Sequence, residues 1–374
     1  MQVTHSPPAY APGNAALYRL EPESQGRAGP TRVDTDSAPL VFVTGASRSG
    51  TTMLARMLGS HSAVMTFNEL HFFGSLWDPF DTGRAHPARE LAELAATLLA
   101  RQTHGLWGGS PTEVEQAWGR RLVRSLPERD CHPAGLFAAV LVRLAQDSGR
   151  RIGCEQTPRN IFYARRLLEL YPQARIVHIV RDPRAVLASQ KGRWRLRRLG
   201  ASHLPVSEML RNRVNYHPLT MSNLWVKANE EALRLMGHPR LLVVRFEDLA
   251  EDPEPEVRRL ARFLDLDYEP GMLDVPRWGS SNLTHDSSAK GVAREAVDRW
   301  RDSISQGECL LCERICHLTM QRLGYVPELL GRRGLLTCVP SLLSYPLHAA
   351  GVMALNPGRA WVQIRALARA GAGP

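Results

Sequence analysis

The sequence predicts an α/β fold in which a parallel sheet carries helices on both faces. Three observations lead there. Short uninterrupted apolar runs read as buried strands, helical stretches lie between those runs, and a glycine-rich turn joins the first run to the first helix. Strands covered on both faces lose the polar–apolar alternation of a half-exposed sheet. Strands that alternate with helices along a chain pair in parallel.

The elements follow in order. Residues 40–44 form an apolar run that ends in Gly45, and residues 51–58 then read as a helix. Helical patterns follow at 90–101, 136–146 and 161–171. The run RIVHIV at 175–180 is a second buried strand, with Asp182-Pro183 starting a helix that continues over 185–191. A basic stretch at 191–213 contains Lys191, Arg193, Arg195, Arg197, Arg198, Arg211 and Arg213, and reads as a loop or helix beside the sheet. After a helix at 222–235, LLVVRF at 241–246 is a third strand; helices at 254–263 and 308–323 complete the pattern.

Composition narrows the possibilities. The chain has 374 residues, 44% of them apolar and 22% charged, enough for a packed core. Its formal net charge of +10 suits anionic partners such as nucleotides, phosphorylated or sulfated substrates, or anionic lipid. The Arg, Ala and Gly enrichment matches a high-GC bacterial genome. Cys309, Cys312 and Cys316 fall on one helix face, next to His317, without a fourth ligand at zinc-type spacing; a buried stripe is expected there and no metal site. Residues 1–38, rich in Pro and Gly, read as a loose arm without the apolar segment of a secretory leader, so a cytoplasmic location is expected. Residues 39–330 form the expected catalytic domain and 331–374 a tail. No Lys, Arg, Asp or Glu occurs from 334 to 358, a run bordered by Arg332, Arg333 and Arg359. Its length would allow a membrane span, but Pro340, Pro346, His348 and Asn356 interrupt it, so a packed or interfacial tail is expected, peripheral to a membrane.

The chemistry starts at Gly45-Ala46-Ser47-Arg48-Ser49-Gly50-Thr51-Thr52. A glycine-rich turn between a strand and a helix N-terminus presents successive backbone amides to a phosphate. The glycine spacing is that of the nucleoside-triphosphate loop, yet Thr51 stands where that loop needs its lysine. The cation is Arg48 instead, three residues earlier. A ligand with one 5'-phosphate and one leaving sulfuryl group suits this arrangement better than a triphosphate does.

Ser-Arg-Ser-Gly-Thr-Thr resembles the 5'-phosphosulfate loop of the sulfotransferases that use 3'-phosphoadenosine 5'-phosphosulfate. A second signature, a strand followed by Arg181 and then Ser189 within VRDPRAVLAS, resembles the pair that holds the 3'-phosphate in that family. Arg supplies a forked, charge-assisted contact and Ser a hydroxyl. Asn68-Glu69-Leu70-His71-Phe72-Phe73 is similar to the Glu-x-His-Phe-Phe segment of heparan-type members, and Glu69 lies 21 residues after Arg48, as the catalytic glutamate does in tyrosylprotein sulfotransferases. A hydroxyl acceptor needs a base as it attacks; the resemblance implies Glu69 in that role, with His71 as the competing candidate. Phe246-Glu247-Asp248-Leu249 resembles the family's RFEDL segment. Ser287, Ser288, Lys290 and Gly291, followed by Arg299-Trp300-Arg301, resemble its late cofactor-closing loop. The chain departs from the pattern at Gln156, where many relatives carry a lysine on the acceptor side.

The expected whole is a nucleotide-kinase-like sheet of about five strands. Ser47, Arg48, Ser49, Gly50, Thr51 and Thr52 bind the 5' end of the donor, and Arg181, Ser189, Ser288, Lys290 and Gly291 bind the rest. The expected partner is a hydroxyl-bearing acceptor: a sugar, a lipid, a small natural product or a tyrosine. Residues 191–213 and the tail are candidates for contact with an anionic substrate or a membrane surface. A kinase-like nucleotide enzyme is the rival, disfavoured by the absent lysine and by the lack of an Asp placed for Mg²⁺. A nucleic-acid binder is disfavoured because Trp194 is the one aromatic residue within the basic stretch.

Overall fold

The structure, a computed structural model, describes residues 39–80, 84–106, 108–194, 206–276, 290–328 and 336–356. Five parallel strands form one sheet: β1 (Leu40–Gly45), β2 (Val64–Thr66), β3 (Ile152–Glu155), β4 (Arg175–Val180) and β5 (Leu241–Arg245). Their order across the sheet is β2-β3-β1-β4-β5. The register sets Phe42 against Glu155 on one side and against Ile176 on the other, and pairs Val180 with Arg245. β1 is central, and the chain leaves it to opposite sides of the sheet. That reversal opens a crevice at the carboxyl ends of the strands, where ligands of open α/β sheets bind.

The two faces of the sheet carry separate cores. Alternation along the strands sends Leu40, Phe42, Ile176 and Val180 to one face and Val41, Val43, Val177 and Ile179 to the other. The first face is covered by α2 (Ala88–His104), α3 (Glu113–Ser125), α4 (Pro133–Asp147), α5 (Ala164–Leu170), α6 (Pro183–Lys191), α8 (Pro218–Arg234) and α11 (Gln306–Arg322), through residues such as Phe137, Leu141, Leu167 and Trp225. The second face is covered by α1 (Thr51–Gly59), α9 (Phe246–Glu251) and α10 (Pro253–Phe263), through Leu54, Met57, Leu249 and Leu260. Between α6 and α8 lies α7 (Val206–Val214), and α12 (Val339–Leu355) follows α11.

The three longer strands stand close to where the apolar runs predict them. β2 and β3, with three and four residues, were too short and too mixed to stand out in the sequence. The predicted helix at 161–171 divides into a 3-10 turn, Pro158–Tyr163, and α5. α3 escaped the reading although Thr112 and Glu115 form a full capping box at its start. The same device starts α11 with Ser305 and Glu308. Cys309, Cys312 and Cys316 are buried along α11, and Cys316 lies against the Ser222 carbonyl of α8, so they form a packed stripe. Among the described residues no helix is long and apolar enough to cross a membrane.

Candidate active site

Each strand of the sheet hands one piece of the site to its carboxyl edge. Gly45 ends β1 and opens the loop to α1; Arg48 lies in that loop with φ +80° and Gly50 with φ +106°. Positive φ values at two nearby positions curl the backbone so that successive amides face a common point. Gly50 is required there twice over. Its φ disfavours any side chain, and a Cβ would come within 2.9 Å of the Phe246 ring. The first-turn amides of Thr51 and Thr52 have no acceptor within α1 and carry the positive end of its dipole. Ser49 and Thr51 are buried in this turn, and Ser49 Oγ has no hydrogen-bond partner among the described residues.

Arg181 follows β4. Its guanidinium lies 4.2 Å from the centre of the Phe246 ring and donates to the carbonyls of Arg48 (3.3 Å) and Ala296 (2.7 Å). Its backbone is held as well: Trp225 Nε1 donates to the Arg181 carbonyl, and the Asp182 amide donates to Glu247. Glu247 in turn accepts from the Tyr325 hydroxyl at 2.7 Å. Asp182 caps α6 and, with Glu313, brackets the buried Arg184. Burial lowers the Arg181 pKa, against the opposing pull of Glu247, Tyr325 and Asp182, but an arginine at this site stays charged. Two helical turns further on, Ser189 Oγ accepts from Arg48 Nε at 3.1 Å. Gln190 Nε2 donates to the Ser47 carbonyl at 3.3 Å. Arg48, Arg181 and Ser189 therefore meet, although 133 and 141 residues separate the partners.

Glu69 lies just past β2, on a segment that is pinned from several directions. Asn68 exchanges hydrogen bonds with Gln102, whose Oε1 accepts from the Asn68 amide at 2.8 Å. The Leu70 amide donates to Glu155 and the His71 amide to Thr157, each at 3.1 Å. Arg101 donates to the carbonyls of Leu70 and His71. His71, at φ +47°, turns its ring back so that Nε2 lies 3.0 Å from Glu69 Oε2. Burial alone would raise the Glu69 carboxyl. The hydrogen bond and charge of His71, with the charges of Arg193 and Arg48, outweigh it and leave the pKa below the ordinary 4.5. A carboxylate thus stands ionised in the field of Arg48.

Glu155 is the residue whose importance sequence reasoning missed. It ends β3, is fully buried, and accepts from the Leu70 amide, from the Thr157 amide and hydroxyl, and from Asn160. Burial pushes its carboxyl up to about 7, against those hydrogen bonds and the charge of His71. Its folded pKa lies above the unfolded one, so its contribution to stability is complete below about 4.5 and is lost as pH rises through about 7. Glu155→Gln replaces one acceptor oxygen with an amide that faces donors. The variant is expected to lose about 1–3 kcal/mol of stability. It should also show a shallower decline of unfolding free energy across that pH window, measured in urea. An unchanged slope would mean that Glu155 does not titrate there.

Part of the late loop lies against Arg181. Lys290 is exposed and pairs with Asp274 at 2.7 Å, and Gly291 takes φ +78°. The backbone of Ala296 supplies the contact with Arg181. Ser287 and Ser288 lie outside the described residues, as do Arg195, Arg197 and Arg198 of the basic stretch. Gln156 is buried just past Glu155, and its Oε1 has no hydrogen-bond partner among the described residues.

The model of the sulfotransferase family matches residues 39–270. Carbohydrate sulfotransferase 5 of Homo sapiens is 30% identical over 183 residues, which cover 41% of this chain and 40% of that protein. Omega-hydroxy-beta-dihydromenaquinone-9 sulfotransferase Stf3 of Mycobacterium bovis is 35% identical over 260 residues, covering 62% of this chain and 64% of that one. The chain thus spans less than two thirds of either relative. Among solved structures, the sulfotransferase domain of the Synechococcus PCC 7002 olefin synthase is 23% identical. That match covers 77% of this chain and 98% of that domain, with a TM-score of 0.46.

Proposed function

Because the chain belongs to the sulfotransferase family, we propose that it transfers a sulfuryl group from 3'-phosphoadenosine 5'-phosphosulfate to a hydroxyl of an acceptor molecule. The observation that carries the reading is the meeting of Arg48, Arg181 and Ser189 beside the β1–α1 turn. Two buried donors in that cluster, Ser49 Oγ and Arg181 Nε, have no hydrogen-bond partner among the described residues. Buried polar atoms are rarely left unsatisfied, and an anionic ligand would satisfy both.

The donor supplies an activated sulfuryl group and departs as the adenosine bisphosphate. The chain's residues then have separable tasks. The turn amides with Ser47, Ser49, Thr51 and Thr52 hold the 5'-phosphate. Arg181 and Ser189 bind the 3'-phosphate, and Lys290 and Gly291 belong to the segment that closes over it. Glu69 takes the acceptor's proton, and His71 orients the carboxylate. Arg48 balances negative charge at the point of transfer. The curated relatives are named for a carbohydrate and for an omega-hydroxylated menaquinone, and both names fit an alcohol acceptor.

The test is selectivity for the 3'-phosphate. A charged hydrogen bond contributes roughly 1.5–3 kcal/mol, or about 10–150-fold in affinity. By calorimetry the protein should bind adenosine 3',5'-bisphosphate at least about tenfold more tightly than 5'-AMP. Arg181→Ala should remove most of that preference and leave 5'-AMP binding nearly unchanged. Equal binding of the two nucleotides by the unmodified protein would overturn the reading.

A further inference from the structure

α12 is built the wrong way round for a helix that faces water. Val339, Leu343, Leu347 and Ala350 recur at spacings of four, four and three, which places them within about 80° of one another on the helix surface. They point outward: Leu343 is 74% exposed and Leu347 80%. The polar residues take the opposite face, against the domain. The Ser341 carbonyl lies 3.0 Å from His217 Nε2, His348 Nε2 lies 2.9 Å from the Thr220 hydroxyl, and Asn356 donates to Asn215 at 2.8 Å. A surface helix in water carries its apolar stripe inward. In α12 hydrogen bonds dock the helix and the apolar stripe is presented outward.

We propose that this face of α12 docks onto an anionic lipid surface. Charge along the sequence and on the neighbouring helix selects that occupant. From 334 to 358 the sequence contains no Lys, Arg, Asp or Glu, and arginines border the run at 332, 333 and 359. α7, which packs beside α12, carries Arg211 and Arg213 and exposes Val206 and Leu210 one turn apart. An outward apolar stripe beside a helix that carries arginines, in a run that arginines border in the sequence, is the composition of a helix lying in the lipid interface. The formal net charge of +10 adds long-range attraction. The patch also connects to the catalytic cluster. Cys338, just before α12, lies against the Gly307 carbonyl, and the next residue, Glu308, pairs at 2.7 Å with Lys191, two residues beyond Ser189.

The surface reading stands apart from the sulfuryl-transfer reading, because lipid binding is measured without donor or acceptor. The full-length protein should float with vesicles of phosphatidylcholine containing about 30% phosphatidylglycerol, and less with phosphatidylcholine alone. Leu343→Glu with Leu347→Glu should weaken that association at least about tenfold. Adenosine bisphosphate binding and the melting temperature should not change, since both side chains are exposed. Leu347→Ser, a milder change at the same face, should weaken it to a smaller extent. Failure of the unmodified protein to float with the anionic vesicles, or equal flotation of the double variant, would overturn the proposal. So would sedimentation velocity showing a dimer that the double variant converts to a monomer, because a second copy would then cover the face.

Discussion

Glu69→Gln should lower turnover by about 10²–10⁴-fold, the usual cost of removing a general base. The change keeps the shape of the side chain and can preserve its contact with His71, 3.0 Å away. Affinity for adenosine 3',5'-bisphosphate should stay within about twofold, because Glu69 is assigned to the acceptor side and not to the donor. The pH profile offers a second check. The Glu69 pKa lies below 4.5, so the carboxylate is ionised at neutral pH, and kcat/KM should fall only as pH drops through a value below the ordinary carboxylate range. An acid limb near neutral pH would show that Glu69 is not the group whose ionisation limits the rate. Near-normal turnover by Glu69→Gln would remove the base assignment altogether.

Arg48→Ala is expected to cost about 10²–10³-fold in turnover, as for other preorganised groups that stabilise developing charge. The loss of affinity for adenosine bisphosphate should be much smaller. The reason is geometric: Arg48 Nε donates to Ser189, and the Arg48 carbonyl accepts from Arg181, so the side chain is positioned before any ligand arrives. An interaction strengthened at the transition state raises kcat without tightening ground-state binding. Arg48→Lys separates charge from shape. It keeps the positive charge but loses the fork that reaches Ser189, and should recover part of the rate. Equal losses of rate and affinity in Arg48→Ala would reduce Arg48 to a phosphate clamp.

Both predictions rest on residues that were legible in the sequence because their signals are local. The turn from Gly45 to Thr52 carries its glycines, its cation and its helix start within eight residues, and Arg181 and Ser189 are separated by a span that two helical turns cover. Backbone chemistry and helix periodicity act over such distances, so a one-dimensional pattern records them. The apolar runs of β1, β4 and β5 are local in the same sense. Tertiary structure alone decided the remainder. Glu155 matters because β3 pairs with β1 and β2, which brings its carboxylate to the amide of Leu70, 85 residues earlier. Ala296 meets Arg181 through its backbone carbonyl, which has no residue-specific signature that a sequence can show. The outward stripe of α12 could not be read either. A helical period says which residues share a face, but the direction of that face depends on His217, Thr220 and Asn215, which hold the opposite side from more than 100 residues away.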